Sequence, residues 1–474
     1  MKTDVLVIGG GLAGLRCAEE ASKCSDVILL SDGGGASPFI HGINIPLHPD
    51  DSVELFIEDT LKSGRYLGKR KLVEKLCEES LYLIEEFEFD KKDGEYELLK
   101  PLGSSVPRVA GINGRTGATV ISRINGKKKF RKFQNTRAMR IECDENTVCG
   151  AYCFDTVKKE WFYIEAKAIV LATGGFGGIF PFSTNSSDIG GDGIAMAFNA
   201  GAKLCDMEFI QFEPTAAVFP EKIKGKSIIT TMLYEGAVIR NKNGDRFMDE
   251  KVNKDVLSLG IYREIVNGNG TENGGVFFDM TGVDFAFLKG KYKDYYDRYK
   301  NCGIDISSKP VEIAPAPHTT LGGVKIDEFC RTSVKGLFAC GEVSGGIHGA
   351  NRLGGNAGLE VFVFGKIAGK SASEYAINNN FIGKKAVCDE NTELNCESIR
   401  REFTQMTGKN LNVIRCEAGL KELCDFTESK INELSVNKNC FTAQRLINDM
   451  VTVNISAKAA LERKESIGCH IRID

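Results

Sequence analysis

The sequence predicts an α/β protein whose N-terminal region is built on a parallel sheet. Two short apolar runs, Asp4–Ile8 and Asp26–Leu30, are typical of buried parallel strands, and a helix-forming segment, Leu15–Lys23, separates them. The chain also holds 52 glycines in 474 residues but only 11 prolines. This glycine share of about 11% exceeds the usual share of about 7%, which indicates tight turns and close backbone contacts rather than flexible linkers.

Length and charge limit the classes of function. A chain of 474 residues is long enough for about three domains. Because 61 Lys and Arg nearly balance 64 Asp and Glu, we do not expect nucleic acid or an anionic membrane to be the main partner. No apolar run approaches the roughly 18 residues of a membrane span. The apolar N-terminal stretch lacks a signal-peptide cleavage site, and together these features favour a cytoplasmic protein.

The cysteines do not predict a metal site. Sixteen are scattered along the chain without a C-x-x-C pair, and the closest two, Cys149 and Cys153, fall in a strand-like run. We therefore expect reduced, mostly buried thiols and no structural zinc or self-contained iron–sulfur cluster.

The first apolar run leads into the motif Gly9–Gly14, which fits G-x-G-x-x-G. Gly9 would permit the tight turn, Gly11 the close approach of a pyrophosphate, and Gly14 the packing of helix on strand, while the helix N-terminus supplies free N–H groups. Strand, glycine turn, helix and strand within about 30 residues predict a dinucleotide site. Either Ser31 or Asp32 could contact the ribose, and Asp32 could equally be an ordinary loop acid.

A second segment indicates which dinucleotide binds. Residues 332–342 form a strand, Gly336–Cys340, that ends in Gly-Glu, and Thr173 follows another buried strand in the run Ala-Thr-Gly-Gly at 172–175. Flavoproteins place such a strand end and its acid, here Glu342, beside FAD. Since the chain lacks a second G-x-G-x-x-G and a redox C-x-x-C, we expect FAD and no separate NAD(P)H domain.

With these segments in view, the sequence resembles the flavoprotein family of fumarate reductase, succinate dehydrogenase and L-aspartate oxidase. The resemblance covers nearly the whole length, and its final segment, Arg463–Asp474, resembles the family's closing S-R-G-x-H-x-R-x-D. The other matching blocks are Leu171–Gly178, Thr184–Gly201, Glu208–Ala216, Asp245–Asp255, His318–Asp327 and His348–Gly365.

The resemblance implies a Rossmann-like FAD-binding domain, an inserted α+β capping domain and a C-terminal helical domain. Changes of composition along the chain agree with this division. We expect the FAD-binding domain to be discontinuous, with residues 1–219 and 324–380 on either side of a capping domain at 220–323. Residues 385–474 would form the helical domain. The implied chemistry is hydride transfer between flavin N5 and a carbon next to a carboxylate-bearing centre.

The resemblance also implies the cofactor contacts. Many members attach FAD to a histidine, but no histidine falls at that place in residues 34–44, where His41 aligns with a glycine; we therefore predict non-covalent FAD. The predicted cofactor-binding residues are Gly9, Gly11, Leu12, Ala13, Gly14, Ser31, Asp32, Gly42, Thr173, Gly174, Asp192, Glu342, Asn356 and Ala357.

Two substrate groups of the family are retained. Arg352 matches the arginine that grips a substrate carboxylate through its planar fork, and His318 matches a histidine that hydrogen-bonds a carboxylate. From the residues alone, Arg352 could instead pair with an acid such as Glu360, and His318 could be a packing histidine.

Other substrate positions depart from the family. Lys254 stands where the family has its proton-transferring arginine; lysine can transfer protons when burial lowers its pKa, or it could be a solvated surface residue. Glu213 replaces a histidine, and Ile229-Thr230 replace a Thr-Glu pair. The predicted catalytic residues are Lys254, His318 and Arg352, with Glu213 and Thr230 also at the substrate.

These departures suggest a substrate with one carboxylate for Arg352 and His318 and a neutral or cationic group at its other end, because an ionised Glu213 would repel a second carboxylate. We expect an FAD-dependent oxidoreductase acting on a C–C or C–N bond of a small carboxylate. L-aspartate oxidase is one alternative. Another is a flavoprotein subunit that relays electrons to a separate donor or acceptor protein, or one whose own catalysis is lost.

Overall fold

The computed structural model describes residues 1–127, 129–383, 388, 391–437 and 439–474. The α-helices are α1 Leu12–Ala21, α2 Val53–Ser63, α3 Arg70–Ser80, α4 Leu83–Glu86, α5 Thr116–Lys127, α6 Asp192–Asn199, α7 Lys254–Glu264, α8 Phe285–Lys289, α9 Lys293–Lys300, α10 Asn356–Ile377, α11 Glu397–Asn410, α12 Glu417–Leu434 and α13 Phe441–Glu462. The strands are β1 Lys2–Ile8, β2 Val27–Ser31, β3 Gly42–Asn44, β4 Lys91–Lys92, β5 Glu95–Tyr96, β6 Leu98–Leu99, β7 Val109–Gly111, β8 Arg131–Gln134, β9 Thr136–Asp144, β10 Thr147–Asp155, β11 Glu160–Leu171, β12 Leu204–Cys205, β13 Ile210–Ala217, β14 Val238–Arg240, β15 Val276–Asp279, β16 Val311–Thr320, β17 Gly323–Lys325, β18 Leu337–Ala339, β19 Ser344–Gly345, β20 Ile414–Arg415 and β21 Ile471–Arg472.

A largely parallel sheet carries the N-terminal region, as the βαβ pattern predicts. Its strand order is β8-β2-β1-β11-β10-β9, and β18 also pairs with β11. Strand β1 runs parallel to both β2 and β11, with Val5 beside Val27 and Ala168. Val5, Leu6 and Val7 are all fully buried, which accounts for their uninterrupted apolar run. Helices α1 and α10 pack against this sheet.

The inserted region has its own sheet and its own core. Strands β13-β16-β15-β14 form an antiparallel sheet, which α7 contacts. Its core is separate from that of the parallel sheet and includes aromatic side chains from α9, namely Tyr295, Tyr296 and Tyr299. Strand β13 pairs with β16, so residues 210–217 belong to this sheet although we expected the inserted domain to begin at 220. The apolar pattern of β13 predicts burial but does not specify the partner strand.

Helices α11, α12 and α13 form the C-terminal region, in agreement with its helical pattern. Helix α13 packs along α12 and α6, and a parallel pair of β20 and β21 holds the end of the chain beside residue 414. The expected boundary at 385 lies outside the described residues. Within the described ranges, no helix is both long and apolar enough to cross a membrane.

Candidate functional site

A cavity of about 640 Å³ lies between the carboxyl edge of the parallel sheet and the inserted domain. In open α/β sheets, ligands bind outside the carboxyl ends of the strands. The turns after β1, β2, β11 and β18 line one side of the cavity, and residues 226–231 with part of α9 line another. The cavity therefore extends from the glycine motif to the inserted domain.

The glycine motif forms a cradle that side chains would fill. Gly9 has φ +121°, and a Cβ there would lie 2.1 Å from the carbonyl oxygen of Ala172. Gly9, Gly11, Leu12 and Ala13 line the cavity. Gly14 does not: a Cβ on it would lie 1.9 Å from the Gly9 oxygen, so this glycine serves the packing of α1 on the turn. Helix α1 begins without a side-chain cap, which suits an anionic ligand at its N-terminus.

The end of β2 separates the two candidates for the ribose contact. Asp32 lines the cavity, whereas Ser31 packs against the backbone of Gly10, where a Cβ would lie 2.2 Å from Ser31 Oγ. Asp32 Oδ2 also accepts a hydrogen bond of 2.9 Å from Nε of Arg137. Arg137 Nη1 donates to Asp192 Oδ2 at 2.6 Å, so one buried arginine joins both acids.

Most of the remaining predicted cofactor residues line the same cavity, namely Gly42, Thr173, Gly174, Asp192, Glu342 and Ala357. Asn356 differs: it is fully buried, accepts from Asn44 Nδ2 at 2.6 Å and donates to Thr60 Oγ1 at 3.1 Å. It therefore supports the start of α10. Burial raises the pKa of Glu342 to about 7, although the Thr320 N–H donates to its carboxylate.

Arg352 presents a buried guanidinium group with spare hydrogen-bond donors. Its side chain lines the cavity, and the residue is 5% exposed. Its Nη2 donates to Thr319 Oγ1 at 3.3 Å, while Nε has no partner. The alternative ion pair with Glu360 is not formed, because Glu360 pairs with His348 at 2.9 Å. A buried cation with unused donors in a planar fork is suited to bind a carboxylate.

Lys254 and Glu213 form a buried ion pair at the same cavity. Nζ of Lys254 donates to Oε2 of Glu213, and the two side chains are 12% and 5% exposed. Thr215 Oγ1 donates to the other carboxylate oxygen at 3.0 Å. Burial lowers the pKa of Lys254, as does Arg352, against the opposing effect of Glu213. The pKa of Glu213 is lowered overall: burial raises it, but Lys254 and His318 outweigh that effect. The alternative that Lys254 is a solvated surface residue is therefore wrong.

His318 completes the cluster as a neutral ring. Its Nε2 lies 3.7 Å from Glu213 Oε2, and its Nδ1 lies 2.8 Å from Thr184 Oγ1. Burial lowers the pKa of His318 to about 3, and the charges of Lys254 and Arg352 add to this effect. The ring is thus uncharged near neutral pH and can hydrogen-bond a ligand. Thr230, at the start of a 3-10 helix over Thr230–Glu235, lines the same cavity.

Several lining residues could not be found by sequence reasoning. Thr184 lies within a family-like block, yet no pattern connects it with His318, 134 positions away. Arg137 carries no motif, and neither do Tyr295 and Arg298 of α9, which line the cavity from the inserted domain. His41 also lines the cavity, and its Nε2 lies 3.2 Å from the Tyr295 hydroxyl. In the part of the chain that the structure describes, no cluster of metal-ligating side chains is present.

Comparison with known proteins gives relatives along the whole chain. A family model described as FAD binding domain matches residues 4–357. One subunit of the CoM/CoB fumarate reductase of Methanothermobacter marburgensis is 33% identical over 99% of this chain and 94% of its own length. The L-aspartate oxidase of Clostridium perfringens is 32% identical over 82% of this chain and 90% of its own length.

Solved structures agree with these relatives. The flavoprotein chain of E. coli quinol fumarate reductase superimposes with a TM-score of 0.89 at 25% identity, covering 100% of this chain and 91% of that one. The Mycobacterium smegmatis Sdh1 chain gives a TM-score of 0.84 at 28% identity, covering 100% and 89%.

Proposed function

The chain belongs to the fumarate reductase and L-aspartate oxidase family of FAD-dependent oxidoreductases, and from that premise we propose that it oxidises or reduces a C–C or C–N bond next to a carboxylate. When bound, FAD accepts or donates the hydride in such a reaction. One observation carries the proposal: the buried Arg352 keeps unused donors beside the Lys254–Glu213 pair, in the cavity that the glycine cradle lines.

Arg352 binds the substrate carboxylate. Its guanidinium can donate two parallel hydrogen bonds to a carboxylate, and burial strengthens them because water does not compete. Neutral His318 adds a hydrogen bond without adding charge. Thr184 Oγ1 holds the Nδ1 side of the ring, which leaves Nε2 for the ligand.

Lys254 moves the proton. Burial brings the pKa of Lys254 down towards the working range, and Glu213 keeps the ammonium in place. In the reductive direction Nζ gives a proton to the substrate carbon, and in the oxidative direction the neutral amine takes one. The family arginine at this position is thus replaced by a group that releases a proton more readily.

The pairing also changes the expected substrate. We expected Glu213 to repel a second carboxylate, but Lys254 balances its charge within hydrogen-bond distance. Dicarboxylates are therefore compatible with the site. L-aspartate oxidation is a second candidate, supported by the 32% identity with the Clostridium perfringens enzyme. A relative named as one subunit of a fumarate reductase supports a further proposal, that a separate protein exchanges electrons with this flavoprotein.

The test is anaerobic flavin spectroscopy of the holoenzyme. The oxidised protein is mixed with succinate or L-aspartate and the chemically reduced protein with fumarate or crotonate, while the flavin absorbance is followed. We expect at least one carboxylate to change the flavin redox state, and Arg352→Gln to lose that response. A flavin that responds to none of them, or that responds equally in Arg352→Gln, would contradict the proposal.

A further inference from the structure

The inserted domain places a second cation at the cavity. Among the acids that line it, Asp32 and Asp192 are paired with Arg137, and Glu213 is paired with Lys254. Three lining cations form no ion pair with a carboxylate of the described residues, namely Arg352, Arg298 and Lys226. Lys226 is exposed, and its ammonium lies 5.4 Å from the centre of the Phe39 ring. Arg298 is the unpaired cation that α9 holds in place.

Three contacts position Arg298. Its Nη1 donates to the Ser227 carbonyl at 2.9 Å, and its guanidinium lies 5.1 Å from the centre of the Tyr295 ring. Asp294, one turn earlier on α9, pairs instead with Arg115 at 3.3 Å. Since guanidinium has five N–H donors and the described residues accept from only one nitrogen, Arg298 retains donors for a ligand.

The side chains beside Arg298 are neutral. Burial raises the pKa of Tyr295, so its hydroxyl stays protonated. Burial lowers the pKa of His41, and the charge of Arg298 adds to that effect. The Tyr295 hydroxyl therefore donates to His41 Nε2 across the boundary between the inserted domain and β3. Neither group compensates the charge of Arg298.

Arg298 and Arg352 act on different parts of the cavity. The charge of Arg352 lowers the pKa of Lys254 and His318, in addition to the larger effect of burial. The charge of Arg298 acts on His41 and Tyr295 instead. A ligand held at Arg352 beside Lys254 would thus direct its other end towards a second, unpaired guanidinium.

We propose that Arg298 is a specificity-determining residue that binds a second anionic group of the substrate, away from Arg352. The substrate class is then a dianion, with one carboxylate at Arg352 and a carboxylate or similar anion at Arg298. The inference rests on the proposed function, because it takes the first carboxylate to bind at Arg352. It assigns selectivity to α9, which the family-like blocks do not include.

The test compares ligands of the oxidised holoenzyme by flavin difference spectra. Fumarate and glutaconate carry two carboxylates, and crotonate carries one on a similar skeleton. Arg298→Gln should raise Kd for at least one of the two dianions about tenfold or more and change Kd for crotonate less than about twofold, while Arg298→Lys should retain part of the preference. Lys300→Gln removes the same charge from an exposed position of α9 and should change neither.

Other results would overturn the proposal. An equal effect of Arg298→Gln on all three ligands, or no effect, would show that Arg298 does not read the second group. Loss of flavin from Arg298→Gln would show that this arginine serves the cofactor instead. If Arg352→Gln weakens every ligand while Arg298→Gln does not discriminate between them, the proposed function stands and this inference fails. If no carboxylate binds to the wild type, both fail.

Discussion

Nζ of Lys254 donates to Oε2 of Glu213 although 41 positions separate the two residues. The lysine begins α7, and the glutamate lies within β13 of the sheet that α7 contacts. Neither charge would be stable alone at this depth, because burial of an unpaired ion costs several kcal/mol or more. The pair therefore keeps a proton-carrying amine beside Arg352 without a net local charge.

Removal of the amine should abolish proton transfer while the flavin stays bound. For Lys254→Met we expect turnover to fall by about a hundredfold to ten-thousandfold, the usual contribution of a positioned acid or base. Lys254→Arg should retain more activity, because it preserves the ion pair with Glu213. The measurement is steady-state turnover with the flavin content checked by absorbance. Lys251→Met, at an exposed position nearby, is the control, and undiminished turnover of Lys254→Met would remove the assignment.

The flavin should be released by denaturation. No histidine lies at the attachment position, and Nε2 of His41 faces Tyr295 instead. We expect acid precipitation to leave all of the FAD in the supernatant. Intact-protein mass spectrometry should then give the mass of the unmodified chain, and a mass increase equal to one FAD would show a covalent bond.

Two glycines of the cradle should fail differently. Gly9→Ala places a Cβ 2.1 Å from the Ala172 oxygen at a positive φ, so we expect poor folding. Gly11→Ala meets only Ser37 Oγ at 3.1 Å, so we expect a folded protein with weakened FAD binding. Gly34→Ala, where a Cβ would meet nothing within 4 Å, is the matched control. Thermal unfolding and flavin retention separate the two effects, and equal behaviour of all three variants would contradict this division.

Stability should fall as the pH drops below about 6.5, in part through His470. Burial and the neighbouring Arg415 lower the pKa of His470 to about 3, below the value of about 6.5 in an unfolded chain. The unfolded state therefore binds the extra proton, and this contribution, complete above pH 6.5, is lost as the pH falls towards 3. One such histidine contributes a slope of about 1.4 kcal/mol per pH unit.

His470→Gln should flatten the pH dependence of the unfolding free energy by about that slope between pH 6 and 4. Denaturant unfolding at each pH measures it, and the comparison at pH 7 separates the packing cost of the substitution. An unchanged slope in the variant would show that His470 does not control the dependence.

Sequence reasoning reached the residues whose role is local. The glycines of the first turn, the strand before them and the acids after β2 and β18 are set by short-range geometry, since a turn or a strand end needs particular residues at fixed spacing. The same reasoning identified Lys254 and Glu213 as departures at the substrate site. It interpreted each by itself, however, and so expected a repulsive glutamate and left the lysine open to a surface role.

The sequence by itself therefore determined the fold class, the glycine cradle and the residue types available for chemistry. Only the tertiary structure decided their charges and partners: Lys254 with Glu213, Asp32 and Asp192 with Arg137, and Arg298 left without an acid. The physical reason is that burial and Coulomb interaction depend on distance in space. The folded chain sets that distance between residues that no local pattern connects.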